Sequence, residues 1–276
     1  MHKITLPESI KSIGEWAFAY CYRLKQLTIP EGVTKIGYGA FAGCRSLKSI
    51  TIPGSVEDIQ VKYEEYYDDG ELDIYYANPF VDCRSLEAIY SPYASDGRSL
   101  IMDNTLIYVA SKGINEYTIP AEVKSVANNA LGSSDYDYDG ARFPKVVIPE
   151  SVEYIDYYGL CATEYHFESM TPPSMHENAL GYWSDYGEGV RPVIYIPDGA
   201  LDAYLTSDWS NSYKQVISYS IDDIPNNIVK YTTTHGKLIE YLNNNENVLS
   251  QSLVDGVGYI IFSEPVTKID NISGKI

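Results

Sequence analysis

The sequence predicts a right-handed solenoid of about eight rungs, mostly β or α/β, with hairpin insertions and a small β-rich C-terminal segment. Three observations predict it. A unit of 23 residues recurs, because Leu6-Pro7 returns as Ile29-Pro30 and Ile52-Pro53, and 30−7 = 53−30 = 23. Behind each dipeptide stands an apolar pair three residues apart: Ile10 and Ile13, Val33 and Ile36, Val56 and Ile59. Ala17-Phe18 with Cys21 then matches Ala40-Phe41 with Cys44, and an interrupted copy keeps Phe80 and Cys83. No single unit can bury these residues alone, whereas stacked units share one continuous core.

Within the unit Leu24 to Cys44, Leu27 and Ile29 alternate with Gln26 and Thr28, which is strand periodicity with one face inward. Pro30 has no amide hydrogen for a ladder and should end the strand. Val33, Ile36, Phe41 and Cys44 then turn inward, and Leu24, Leu47 and Leu86 each follow their cysteine by three residues and open the next turn.

The first three rungs, residues 1 to about 59, are regular, beginning with a strand that points Lys3 and Thr5 outward. Ile36 to Phe41 has 4 residues between, Ile59 to Phe80 has 20, so 16 are inserted. The inserted VKYEEYYDDGELDIYY reads as a Tyr-rich, acidic hairpin about Asp69-Gly70. Ile89 and Pro92 restore the unit. Residues 93–113 depart from it, with Leu100 to Val109 reading as a hairpin about Asp103-Asn104. Tyr117, Ile119-Pro120, Val123, Val126 and Ala130-Leu131 resume the pattern. Six more residues are inserted around SSDYDYDG, before Val146, Ile148-Pro149, Val152, Ile155 and Leu160.

Two degraded rungs hold Tyr165 and Phe167, then Met175 with Ala179-Leu180. The last strand runs from Val193 to Pro197, and Asp198 reads as the N-cap of a short helix in ALDAYL. The solenoid is expected to occupy residues 1–220. Residues 221–276 differ: IVKYTTTHGKLIEY reads as a hairpin about His235-Gly236, VGYIIF as a short buried strand, and VTKIDN as the opening of a further repeat array.

The repeated residues quoted above resemble the leucine-rich repeats of the BspA-like type, found in bacterial surface proteins. TPPSMHENAL and YIPDGALDAY look like the closing segment of bacterial members. The resemblance implies an exported protein, extracellular or at the cell surface, that attaches to a host or bacterial surface protein or glycan. The opening MHKITLPES lacks a signal-peptide pattern and no capping element precedes the first strand, so the chain reads as a piece of a longer exported protein.

Composition bounds the partners. The 45% hydrophobic and 13% aromatic content argues for an ordered, cored protein. With 38 acidic against 20 basic residues the formal charge is −18, which disfavours nucleic acid and anionic membranes. No apolar run approaches the roughly 20 residues of a membrane helix. Cys21, Cys44 and Cys83 share one repeat position and read, with Cys161, as buried thiols rather than disulfide partners.

Four histidines show no metal-ligand spacing, and HExxH, CxxC, GxSxG and GxxxxGK motifs are absent, so the chain reads as no enzyme and without a resident cofactor. The sharpest local motif is Asp135, Asp137 and Asp139 followed by Gly140, which matches positions one, three, five and six of a calcium loop. Its twelfth position would be Val146 instead of glutamate, and an acidic surface loop is the plainer reading. Two surfaces remain as binding candidates. Tyr66 and Tyr67 in the acidic hairpin offer rigid aromatic area, or simply pack on the solenoid edge. On the concave strand face, alternation turns outward Gln26, Thr28, Ser49, Thr51 and Ala88, then Tyr90, Glu116, Thr118, Lys145, Val147, Glu164, His166, Val193 and Tyr195. The early rungs offer only short polar groups there, so anchoring is expected toward Tyr90, Glu116, Lys145, His166 and Tyr195. The competing readings are a structural spacer with no ligand, and more remotely an enzyme or enzyme accessory with a site on the insertions.

Overall fold

A computed structural model of the chain describes residues 4–66, 72–76, 78–131, 143–176, 179–180, 193–197, 199–200, 203–204, 207, 217–218, 228–232, 248–254 and 257–262. Two parallel ladders wind along it. In the first part the three-residue strands β2 (Gln26–Thr28), β4 (Ser49–Thr51) and β8 (Ala88–Tyr90) form one ladder. The two-residue strands β1 (Ser12–Ile13), β3 (Lys35–Ile36) and β5 (Asp58–Ile59) form the other. Leu27 faces Ile50 and Ile13 faces Ile36, so the register of the ladders is the 23-residue unit itself. Residues 4–7 form no strand, contrary to the expected opening strand, although Thr5 is exposed as expected. Among the described residues β2 is the first strand of its ladder, and Lys3 lies outside them.

The inward residues behave as the repeat demands. Val33, Ile36, Phe41, Cys44, Leu47, Ile50, Ile52 and Val56 are fully buried. Phe18, Phe41, Phe80 and Tyr108 stack through the core with ring centroids 5.7, 5.4 and 5.3 Å apart. The four cysteines form no disulfide; beside the stack, Cys44 Sγ donates to the Phe18 carbonyl (3.1 Å) and Cys83 Sγ to that of Phe41 (3.2 Å). Burial pushes the Cys44 thiol up to about 11, and Cys83 rises for the same reason.

Rungs approach one another closely where the unit places glycine. A Cβ on Gly37 would lie 2.6 Å from the Glu15 nitrogen, and one on Gly39 would meet the Trp16 ring. Gly39 and Gly43 have positive φ, as do their counterparts one rung earlier, Trp16 and Tyr20.

The expected hairpin over 62–76 is β6 (Lys62–Tyr66) against β7 (Leu72–Tyr76), antiparallel, with Asp69-Gly70 outside the described residues. The hairpin about Asp103-Asn104 is β9 (Ser99–Met102) against β10 (Thr105–Val109); both turn residues have positive φ, 48° and 60°, the twist that suits a two-residue connection. This hairpin interrupts the winding. No strand joins β8 to the next three-residue strand, β11 (Glu116–Thr118). A second ladder starts there, β11 with β13 (Phe143–Ile148), β15 (Ala162–Phe167), β17 (Val193–Tyr195) and β18 (Ile217–Ser218). Beside it β10 starts its own, followed by β12 (Ser125–Val126), β14 (Tyr154–Ile155) and β16 (Ser174–Met175).

The core divides accordingly into a cluster from Ile13 to Ala110 and another from Leu106 to Tyr204. Asn78 joins them. Fully buried, it donates through Nδ2 to the carbonyls of Ile107 (2.7 Å) and Asn128 (2.9 Å), and its Oδ1 accepts from the Phe80 amide (3.1 Å). Asn128 in turn donates to the Val61 carbonyl.

Near the end, Ala203 and Tyr204 are helical, with the Tyr204 amide donating to the Ala200 carbonyl (3.2 Å); Asp198, the expected cap, lies outside the described residues. β19 (Ile228–Thr232), β21 (Val257–Phe262) and β20 (Val248–Val254) form a separate antiparallel sheet in that order. The expected strand over VGYIIF is therefore present as β21. The described partner of β19 is β21, and His235-Gly236 lies outside the described residues.

Candidate binding face

In the ladder from β11 to β18 the cross-strand register decides which alternate positions meet. One row runs Glu116, Lys145, Glu164, Val193 and the next runs Thr118, Val147, His166, Tyr195, Ser218. Tyr117, Val146, Tyr165 and Ile194, the residues between, are buried, so backbone alternation alone presents the rows.

In the first row Lys145 Nζ pairs with Glu116 Oε1 at 2.6 Å. The Lys145 hydrogen bond, reinforced by its charge and that of His166, holds the Glu116 carboxyl below its ordinary value. In the second row the His166 and Tyr195 rings stack with centroids 4.2 Å apart and planes 19° from parallel. His166 Nε2 lies 3.2 Å from Glu164 Oε2, which ties the aromatic pair back to the charged row. Tyr195 stays 38% exposed, leaving ring surface for a ligand. The result is a flat pair of rings bordered by one cation and two carboxylates, a surface suited to stacking and hydrogen bonding.

Four of the sequence-predicted residues, Glu116, Lys145, His166 and Tyr195, are thus brought onto one face. Tyr90 is not among them. It lies on β8 in the other ladder, in the row Thr28, Thr51, Tyr90, and is 59% exposed. Tyr66 is on β6, and Tyr67 lies outside the described residues, as do Asp135, Asp137 and Asp139. Among the described residues no group of three or more His, Cys, Asp or Glu could hold a metal ion, and no helix is long and apolar enough to cross a membrane. Glu164 was foreseen only as an outward position; its role as the link between the rows depends on the cross-strand register.

Comparison with known proteins gives the repeat type. The model described as "BspA type Leucine rich repeat region" matches in 6 copies, with residues 1–67 matched. No curated protein matches the chain. Among solved structures, a leucine-rich repeat protein from Eubacterium ventriosum shares 21% identity at a TM-score of 0.37, over 63% of this chain and 56% of that one. A leucine rich cell surface protein from Faecalibacterium prausnitzii shares 22% at 0.37, over 72% of this chain and 64% of that one. The pneumococcal vaccine antigen PcpA shares 15% at 0.33, over 79% and 77%. The chain therefore spans less than two thirds of the first two proteins.

Proposed function

This chain carries BspA-type leucine-rich repeats, and on that premise we propose that it is a non-catalytic binding module of an exported bacterial protein, acting at the cell surface or outside the cell. It engages a host or bacterial surface protein or glycan through the outward rows of β11, β13, β15 and β17. The observation that carries this reading is the stacked His166–Tyr195 pair joined through Glu164 to the Glu116–Lys145 row. Rigid aromatic area with polar ends gives binding surfaces their anchors, and charges at the border select the partner. In this reading the solenoid unit is residues 1–220, and residues 221–276 are a β-hairpin-rich segment in which a further array starts.

The β2 and β4 part of the first ladder, before Tyr90 on β8, supports a second role for its own part of the chain. Gln26, Thr28, Ser49 and Thr51 are short and polar and give little to grip, which suits a spacer. Immobilised matrix proteins, mucins and a panel of glycans test the choice. The binding reading predicts saturable retention of the chain by at least one of them. Retention by none of them would leave the spacer.

A further inference from the structure

A second surface lies at the opposite end of the repeats, where the local charge reverses. Residues 16–48 hold five basic residues and one acidic, 5−1 = +4, in a chain of −18. Lys35 and Lys48 are spent on Asp58 (3.0 Å) and Glu87 (3.4 Å). Neither Arg23 nor Lys25, both exposed, is paired with a carboxylate among the described residues. Arg45 shares Asp82 with Arg84, and its own side chain stays half exposed.

The same stretch exposes its aromatics. Along Trp16-Ala-Phe-Ala-Tyr-Cys-Tyr, Phe18 goes inward to stack on Phe41 while Trp16, Tyr20 and Tyr22 stay outside, 44%, 59% and 53% exposed. They are held in place. The Trp16 and Tyr20 rings lie against Gly39 and Gly43 of the next rung, positions where a side chain would collide with them. The Tyr20 and Tyr22 rings are 6.1 Å apart, and the Arg45 guanidinium stands 5.8 Å above the Tyr22 ring. Large exposed rings are costly to leave in water and supply contact area with little entropy to lose on binding.

We propose that Trp16, Tyr20 and Tyr22, with Arg23, Lys25 and Arg45, form a binding site for an acidic polysaccharide. The apolar C–H face of a sugar ring stacks on an aromatic ring, and a carboxylate or sulfate on its rim meets a cation at the ring's edge, as Arg45 stands beside Tyr22. Polyphosphates and nucleic acids fit less well. Their denser negative charge meets the −18 of the whole molecule, while a polysaccharide spreads its charges and leaves sugar faces to stack. The site is separate from the His166–Tyr195 face and stands or falls without it.

Calorimetric titration of the full chain with hyaluronan oligosaccharides, dextran sulfate, neutral dextran and polyphosphate tests this. Hyaluronan, dextran sulfate or both should bind, telling carboxylate from sulfate, with affinity falling as salt rises and neutral dextran silent. Tyr22→Ser and Arg23→Ser, at exposed positions that leave Trp16 seated on Gly39, should each weaken binding at least about five-fold with unchanged melting temperature. His166→Ala with Tyr195→Ala should leave it unaltered. Silence with both anionic polysaccharides, equal affinity for polyphosphate, or unchanged binding in Tyr22→Ser and Arg23→Ser would overturn the proposal.

Discussion

At Gly37 an added methyl group would press on the backbone of the preceding rung, where the Glu15 nitrogen and the Gly14 carbonyl carbon lie within 2.6 and 2.8 Å of it. A backbone cannot swing aside as a side chain end can. Gly37→Ala should therefore cost about 1–3 kcal/mol in chemical denaturation, by prising the first two rungs apart. Phe41→Ala removes the middle of the aromatic stack and should cost about 3–5 kcal/mol. Cys44 makes stability depend on pH. Its folded-state value is about 11 against an ordinary 9.0, because burial penalises the thiolate. A group raised on folding lends its full stability below the ordinary value and loses it as pH rises toward the folded one. The denaturation midpoint should hold to about pH 9, then fall, and fall less steeply in Cys44→Ala; a flat profile to pH 11 would refute it.

The element that shapes the chain is the β9–β10 hairpin. Its Asp103-Asn104 turn was legible because a two-residue connection between apolar runs asks for residues that tolerate positive φ. Asn104→Gly should be neutral or stabilising, and Asn104→Val should cost about 1–2 kcal/mol, both read from thermal melts. What the hairpin does to its neighbours was not legible. Tyr108 continues the stack beyond Phe80, although residues 93–113 read as a departure from the unit. A signal existed: Tyr108 precedes Tyr117 by nine residues, as Phe41 precedes Ile50 and Phe80 precedes Ile89. Asn78 left no such trace, since a buried asparagine is dictated by the carbonyls that happen to meet where two cores join. Asn78→Ala should cost about 2–3 kcal/mol by orphaning those groups, and should loosen protection first at the Phe80 amide, which loses its acceptor, in hydrogen exchange.

Over the whole molecule, the inward residues could be read because a fixed repeat makes burial periodic, and the ladders follow the same ruler. The outward face was half legible. Alternation identified Glu116, Lys145, His166 and Tyr195, but their meeting depends on rungs of unequal length: 147−118 = 29, 166−147 = 19 and 195−166 = 29. Those lengths had to close in space before His166 could stack on Tyr195. The local reversal of charge around Arg23 and Lys25 was hidden for a similar reason, because a total of −18 averages over surfaces that do not touch. If the β11–β17 rows are where this chain grips its partner, the rings of His166 and Tyr195 are the anchor. The most direct measurement is surface-plasmon binding of the chain and its His166→Ala/Tyr195→Ala variant to whichever matrix protein, mucin or glycan retains it. The double variant should keep its melting temperature and bind at least about ten-fold more weakly. Equal affinity at equal stability would contradict the assignment of that face.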